Sequence, residues 1–193
     1  MPRIERSSLM TLEAYARERA AFRARVMAHK QHRTIVLGEH VRLIFEDELT
    51  VRYQVQEMLR AERIFEEAGI QEELDAYNPL VPDGRNFKAT LMLEYPDPDE
   101  RGRELVRLKG IERSVWMQID GSPRVPAVAD EDLERENDEK TSSVHFLRFD
   151  VDEPASRAAK RGAALSLGID HPQYRASVVL PPEVRDALVK DLA

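Results

Sequence analysis

Residues 48–68 restrict the fold more than any other segment, because their apolar side chains cover more than half of a helical circumference. At 100° per residue, a surface helix of a globular protein shows a narrower apolar stripe. The pattern therefore predicts a central helix, which Asp47 begins as the N-cap and Gly69 ends as a C-terminal glycine. The apolar residues of this arc are Val51, Tyr53, Val55, Met58, Leu59, Ala61, Ile64, Phe65 and Ala68.

Three polar residues, Gln54, Glu57 and Glu62, project inside this apolar arc. A buried carboxylate needs a partner, since otherwise its pKa rises and the group becomes neutral. We therefore expect Glu57 and Glu62 to meet arginine, tyrosine or backbone donors from other elements. Two interpretations remain open: a structural network that fixes helix packing, or a functional site in which Glu57 is the acid or base and Arg60 holds an anion. The candidate polar site consists of Gln54, Glu57, Arg60, Glu62, Asp75, Tyr77 and Asn78.

The remaining segments show helical and strand patterns without the regular strand–helix–strand repeat of a parallel sheet. Further helices are predicted over about 9–31, 70–77, 96–108, 154–161 and 181–192, and a β-hairpin over 34–45. Strands are predicted over 87–95, 111–120, 124–128, 143–151, 163–169 and 174–180, where apolar residues alternate or cluster. We expect one α+β domain over 1–193. Its N-terminal helices and short β-hairpin, within about 9–78, pack on a mostly antiparallel sheet within about 86–180, and a short C-terminal helix follows.

Composition excludes several classes of protein. The chain of 193 residues has no cysteine, which excludes a Cys nucleophile, a Cys-ligated zinc site and a Cys-ligated iron–sulfur cluster. Residues 130–140 hold seven acidic and two basic residues, and so account for most of the formal net charge of −7. This run predicts a flexible acidic loop, either a solubilising segment or a tether for a basic partner. The basic residues of the first 45 positions lack interleaved aromatic residues, so no nucleic-acid partner is expected. No apolar run approaches the length of a membrane span, so we expect a cytoplasmic protein with no membrane partner.

No phosphate-binding loop, dinucleotide glycine pattern, nucleophile elbow or metalloprotease helix is present, and we expect no cofactor. His29, His32 and His40 are weak candidates for a metal site, because two histidines three residues apart share a helix face. We predict no metal site from them, since helix-end histidines also serve as partners of the helix dipole. Trp116 is out of phase in its strand, as are Met92, Phe146 and Val179. Either helices cover this second sheet face, or Trp116 marks an interface.

The central segment also resembles an uncharacterised bacterial family, domain of unknown function 3501. The similar stretches are Phe45-Glu46, Thr50-Val51-Arg52-Tyr53-Gln54-Val55-Gln56-Glu57-Met58-Leu59-Arg60-Ala61-Glu62-Arg63-Ile64, Ile70-Gln71-x-Glu73-Leu74-Asp75-x-Tyr77-Asn78-x-Leu80-x-Pro82, Ala89-Thr90-Leu91, Arg148-Phe149 and His171-Pro172-x-Tyr174. The resemblance covers about residues 10–190 and implies no established activity. It implies a role beside rubrerythrin and an iron–sulfur oxidoreductase in oxidative-stress defence, because genes of the family often lie near theirs.

Three functional hypotheses follow. The first is an accessory protein without catalytic activity that binds redox partners, with homo-oligomers also expected among its assemblies. The second is a small-molecule-binding protein or enzyme with its polar site on the 48–68 helix. The third is a His-ligated metal-binding protein. The missing cysteine favours an adaptor over an electron carrier, since the chain supplies no redox thiol.

Overall fold

The structure, a computed structural model, describes residues 3–129 and 140–193. Its helices and antiparallel strands confirm the predicted α+β class. The helices are α1 (Leu12–Gln31), α2 (Glu48–Ala61), α3 (Glu67–Tyr77), α4 (Pro98–Arg107), α5 (Glu153–Lys160) and α6 (Pro182–Leu188). The strands are β1 (Thr34–Leu37), β2 (Val41–Glu46), β3 (Asn86–Leu93), β4 (Val115–Ile119), β5 (Arg124–Pro126), β6 (Val128–Ala129), β7 (Val144–Asp150), β8 (Leu165–His171) and β9 (Tyr174–Val179). The predicted acidic loop over 130–140 lies outside the described residues except for Lys140.

The predicted helix over 48–68 is wrong at its C-terminal end, because α2 ends at Ala61. Arg63 takes the left-handed conformation with φ 56°, and the Ile64 N–H donates to the Leu59 carbonyl at 2.9 Å. This is the Schellman arrangement, in which a left-handed residue ends a helix and satisfies its last carbonyl groups. Gly69, which was expected to end the helix, lies inside α3, where a Cβ would come within 2.8 Å of the Ile64 side chain.

The strands form two antiparallel sheets, where the sequence had indicated one. The five-stranded sheet has the order β1-β2-β3-β7-β6, and the four-stranded sheet has the order β5-β4-β8-β9. The predicted hairpin is therefore the edge of the larger sheet. Alternation along a strand shows which face is buried, but not which other strands share its sheet. The predicted strand over 111–120 begins only at Val115, because Ile111–Ser114 form a 3-10 turn after Gly110.

The inner faces of the two sheets contribute to one apolar core. Alternate residues of each strand point into it, as expected for sheets that bury one face. Tyr174 on β9 donates its hydroxyl to the Leu37 carbonyl on β1 at 2.5 Å and so links the two sheets. The principal core residues are Leu43, Phe45, Phe87, Leu91, Leu147 and Phe149 from the larger sheet and Val115, Met117, Ile119, Leu165, Leu167 and Ile169 from the smaller. Helices α4, α5 and α6 add Leu105, Ala155 and Leu188 to the same core.

The first three helices form a layer with its own apolar clusters. Tyr15, Phe22 and Val26 on α1 pack with Tyr53 on α2. The opposite side of α2 packs against α3 and the N-terminal segment through Val51, Val55, Leu59, Ile70, Leu74 and Ile4. The central position predicted for α2 is confirmed, since it contacts α1, α3 and β2. Within residues 3–129 and 140–193, every helix is too short or too polar to cross a lipid bilayer.

Arg33 joins the helical layer to the sheet and to the C-terminal segment. Its side chain is 2% exposed and donates to the carbonyl groups of Phe45, Glu46 and Ala187 at 3.0–3.2 Å. Its guanidinium also forms an ion pair with Asp191, and its Nη1 atom lies 3.5 Å from Oδ2 of Asp47. A buried guanidinium needs such a set of acceptors, because its desolvation is otherwise unfavourable by several kcal/mol.

Candidate functional site

A cavity of about 220 Å³ lies between the helical layer and the outer face of the five-stranded sheet. We call it the helix–sheet cavity. The sheet supplies alternate residues of β2, β3 and β7, while α1, α2, α3 and the turn after α3 supply the opposite wall. The lining residues are Lys30, Ile44, Glu46, Val51, Gln54, Tyr77, Leu80, Thr90, Met92, Val144 and Phe146.

Strand register brings the sheet side of the cavity together. Ile44 on β2 faces Thr90 on β3, which in turn faces Phe146 on β7. Met92 is likewise the partner of Val144. These residues alternate with the core residues, so their side chains lie on the outer face. The out-of-phase positions of Met92 and Phe146 therefore reflect a sheet face that the helices partly cover.

Glu46 has a carboxylate that two threonine hydroxyls hold in place. Thr50 donates to one oxygen at 2.5 Å, and Thr90 donates to the other at 2.7 Å. Thr50 also accepts from the Asp47 N–H at 2.9 Å, as part of the capping box that begins α2. The carboxylate is thus oriented by the helix start and by the neighbouring strand before anything occupies the cavity.

Three other polar side chains at the cavity have unused hydrogen-bonding capacity. Those of Lys30, Gln54 and Tyr77 form no hydrogen bond or ion pair with another residue of the described ranges. Lys30 and Tyr77 are half-buried, and Gln54 is exposed. Their side chains carry an ammonium group, an amide and a phenol, and all three residues line the same space. Six apolar residues complete its lining, a mixture typical of small-molecule sites.

Gln54 and Tyr77 are the only two residues of the predicted polar site that line this cavity. Glu57 instead faces α1. Both of its oxygens accept hydrogen bonds from Arg19 at 2.7 Å, and Tyr15 donates to one of them at 2.6 Å. The Arg19 hydrogen bonds lower the pKa of Glu57 to about 2, and burial next to this carboxylate raises the pKa of Tyr15. The predicted arginine and tyrosine partners of Glu57 are therefore present, and their occupation of both carboxylate oxygens favours the structural network over the acid–base role.

The other members of the predicted site do not line this cavity. Arg60 and Glu62 are exposed, and Glu62 follows the last residue of α2. The expectation that Glu62 is buried is corrected, because the helix ends before its apolar arc reaches that residue. Asp75 accepts from Arg3 at 3.0 Å. Asn78 binds both backbone groups of Ile4, at 2.8 and 3.1 Å, and so anchors the N-terminal segment.

The three candidate histidines have separate environments. His29 pairs with Asp47 at 2.5 Å, and His32 is exposed. His40 lies beyond the other end of β1, where it stacks on Tyr95 with ring centroids 4.1 Å apart. Among residues 3–129 and 140–193, no group of three or more His, Asp or Glu side chains is placed to hold a metal ion. The geometry gives no support to the metal-binding hypothesis.

Trp116 lies on the outer face of the four-stranded sheet and is 9% exposed. Its ring covers Gly168, the cross-strand partner on β8. The Arg124 guanidinium lies 3.7 Å from the ring centroid and forms an ion pair with Asp170 at 2.9 Å. Arg124 therefore covers one face of the indole. A role of Trp116 in an interface stays a prediction.

Two wider depressions of about 480 and 360 Å³ border the Arg33 cluster, which consists of Arg33 and its ion-pair partners Asp47 and Asp191, with His29. Their shared acidic residues already have partners within this cluster, Asp47 with His29 and Arg33, and Asp191 with Arg33. Burial raises the pKa of Asp191 to about 6. Burial acts on Asp47 in the same direction, but Arg33, the Thr50 N–H and His29 lower its pKa on balance. We assign this cluster to the stability of the fold.

Comparison with known proteins gives a family but no activity. A family model described as "Protein of unknown function (DUF3501)" matches residues 3–192. A crystal structure of a protein of unknown function from Burkholderia pseudomallei K96243 is 51% identical, covers 100% of both chains and superposes with a TM-score of 0.95. The comparison with curated proteins finds no match.

Proposed function

The chain belongs to the family described as Protein of unknown function (DUF3501), and we propose that it binds a small organic molecule in the helix–sheet cavity. The observation that carries the proposal is a set of side chains at this cavity that have no partner among residues 3–129 and 140–193. Lys30, Gln54 and Tyr77 form this set, and they line the cavity together with the apolar residues Met92, Val144 and Phe146. A folded protein usually pairs the polar groups that it buries, so the half-buried Lys30 and Tyr77, with the exposed Gln54 beside them, are suited to a ligand.

The proposal is tested by screening a library of small polar and amphipathic compounds with two-dimensional NMR of the purified protein. We expect binders to shift the amide signals of β3, β7 and the face of α2 that contains Gln54. Replacing Gln54 with tryptophan fills the cavity mouth and is expected to abolish these shifts. Arg60→Trp is the matched control, because Arg60 is exposed on the same helix and does not line the cavity. Binding that survives Gln54→Trp, or a screen without any binder, would contradict the proposal.

A second proposal is the accessory role beside rubrerythrin and an iron–sulfur oxidoreductase, which rests on the family resemblance. One surface feature supports a role in protein binding. Phe65, between α2 and α3, is 72% exposed, the largest exposed fraction among the large hydrophobic residues of the described ranges. Exposed aromatic residues are enriched in protein interfaces.

Affinity isolation after co-expression with each proposed partner tests this second role. We expect the partner to co-purify with the unchanged chain and to be lost from Phe65→Ser. Val106→Ser is the matched control, since Val106 is a 54% exposed apolar residue on α4. If neither partner co-purifies, the accessory role is wrong; if both variants retain the partner, Phe65 is not the contact.

A further inference from the structure

The helix–sheet cavity contains one acidic and one basic side chain, Glu46 and Lys30, which do not neutralise each other. Both are half-buried. The Glu46 oxygens accept only from the uncharged Thr50 and Thr90 hydroxyls, and no ion pair within 4.0 Å joins Glu46 or Lys30 to another described residue. Two oppositely charged residues therefore line the same small space, and neither has a counter-charge within 4.0 Å among the described residues.

This arrangement selects among classes of ligand by charge. A monoanion would bind the ammonium group of Lys30 but be repelled by Glu46. A monocation would bind the Glu46 carboxylate but be repelled by Lys30. A ligand with one positive and one negative group can contact both side chains and leave the net charge of the cavity unchanged. Loss of hydration from both protein charges is then compensated by charge-assisted hydrogen bonds.

The remaining walls define the rest of the ligand. Ile44, Met92, Val144 and Phe146 on the sheet, with Val51 and Leu80 opposite, offer only hydrocarbon and thioether surface. The cavity volume of about 220 Å³ equals that of about seven water molecules at roughly 30 Å³ each. This space accommodates a compact molecule with a short aliphatic side chain.

We infer that the helix–sheet cavity binds an aliphatic α-amino acid as its zwitterion. Lys30 binds the carboxylate, the Glu46 carboxylate accepts from the α-ammonium group, and the aliphatic side chain lies against Met92, Val144 and Phe146. Gln54 and Tyr77 supply further hydrogen bonds at the cavity. This inference rests on the proposed small-molecule function and specifies its ligand class.

Isothermal titration calorimetry of the unchanged protein with three matched compounds tests the inference. L-leucine carries both charges, 4-methylpentanoate lacks the amine, and 3-methylbutylamine lacks the carboxylate. We expect leucine to bind at least about tenfold more tightly than either analogue, since each analogue loses one charge-assisted contact. This comparison needs no variant and so does not depend on whether a variant folds.

Two substitutions then assign the contacts. Glu46→Gln keeps an acceptor for one of the two threonine hydroxyls and is expected to weaken leucine binding about tenfold or more. The same change should strengthen binding of 4-methylpentanoate, because the repelling carboxylate is removed. Lys30→Met is expected to weaken leucine binding similarly and to strengthen binding of 3-methylbutylamine, because the repelling ammonium group is removed. Glu39→Gln is the control, because Glu39 is 91% exposed at the β1–β2 turn.

The outcomes separate the inference from the proposed function. An analogue that binds as tightly as leucine, or leucine affinity unchanged in both Glu46→Gln and Lys30→Met, would overturn the inference. If leucine fails to bind while other compounds from the NMR screen do, the zwitterion assignment is wrong and the proposed function stands. If neither leucine nor any compound of the screen binds, both are wrong.

Discussion

Arg19 on α1 holds both carboxylate oxygens of Glu57 on α2, with two hydrogen bonds of 2.7 Å. The Tyr15 hydroxyl adds a third at 2.6 Å from one turn earlier on α1. This paired geometry fixes two helices against each other at a position where the α2 sequence alone shows only a carboxylate inside an apolar arc. The carboxylate that the sequence offered as a candidate acid or base is thus held by two side chains of α1.

Replacing Glu57 with glutamine is expected to lower the urea midpoint of unfolding with little change in the slope of unfolding free energy against urea. The amide offers one acceptor atom and no negative charge, so the paired contact with Arg19 is lost. Because the pKa of Glu57 is lowered to about 2 from 4.5, the contribution of Glu57 to stability is present above about pH 4.5. It is lost as the pH falls through about 2.

Urea unfolding of the unchanged protein and Glu57→Gln, measured at several pH values from 2 to 7, checks this prediction. The difference in free energy of unfolding between the unchanged protein and Glu57→Gln should become smaller as the pH falls below 4.5. Glu18→Gln, an exposed carboxylate on α1, should show a much smaller effect. A difference between Glu57→Gln and the unchanged protein that does not depend on pH would contradict the assigned ion pair.

Replacing Arg33 with methionine is expected to destabilise the protein by about 3–5 kcal/mol. The change removes the donor from three backbone carbonyl groups and leaves Asp47 and Asp191 without their shared cation. Thermal unfolding of Arg33→Met beside Arg103→Met, an exposed arginine on α4, measures the loss. Adding Asp191→Asn to Arg33→Met should recover part of the lost stability, because one unpaired charge is removed. If the effects of the two changes are fully additive, the ion pair between Arg33 and Asp191 is contradicted.

Local patterns predicted most helices and strands, and the failures have specific physical causes. The apolar arc of residues 48–68 correctly indicated a central helix, but its end depends on Arg63, a residue that rarely takes a positive φ. A glycine at this position would have marked the end. The alternation of β3 and β7 likewise gave the buried faces, whereas the division into two sheets depends on pairings between strands distant in sequence.

The candidate site was also predicted only in part, because some of its residues come together only through contacts between elements. Gln54 and Tyr77 lie on helices whose faces a periodicity projection can assign, and both line the cavity. Lys30, Glu46 and Thr90 come from three other elements, and only the strand register and the start of α2 bring them together. The out-of-phase Met92 and Phe146 were the sequence signal for this surface. Arg33 had no signal, since an isolated arginine after a helix is usually exposed.

The burial of Asp191 predicts a specific dependence of stability on pH. Its pKa is raised from 3.8 to about 6, so between these values the folded protein retains a proton that the unfolded chain releases. The contribution of this group to stability is therefore fully present below about pH 4 and is lost as the pH rises through about 6. The expected change is on the order of 2–3 kcal/mol.

Asp191→Asn removes this titration, so the stability of the unchanged protein relative to the variant should decline between pH 4 and 6 and be constant above. Urea unfolding across this range measures the decline. Asp186→Asn provides the control, because Asp186 is a 63% exposed neighbour on α6. A relative stability that rises with pH over the same range would show that Arg33 outweighs burial and lowers the pKa of Asp191.

Gly168 is expected to be intolerant of even the smallest side chain. A Cβ at this position would overlap the indole ring of Trp116 and come within 2.9 Å of its Cη2 atom. The ring is held from the other side by Arg124, so it cannot move away without losing that stacking. Gly168→Ala should therefore destabilise the protein by about 1–3 kcal/mol, the usual effect of overpacking. Because Trp116 is the single tryptophan of the chain, its fluorescence reports the displacement of the ring as well as unfolding.

Gly102→Ala provides the opposite expectation in the same chain. Gly102 lies inside α4, and a Cβ there would have no neighbour within 4 Å. Alanine in an exposed helix lowers the conformational freedom of the unfolded chain, so this variant should gain about 0.5–1 kcal/mol. Measured together in urea, the two variants separate a steric effect from a general effect of replacing glycine. If Gly168→Ala is neutral and leaves the fluorescence maximum unchanged, the indole does not lie across the glycine, and the Arg124 stacking that depends on it is also wrong.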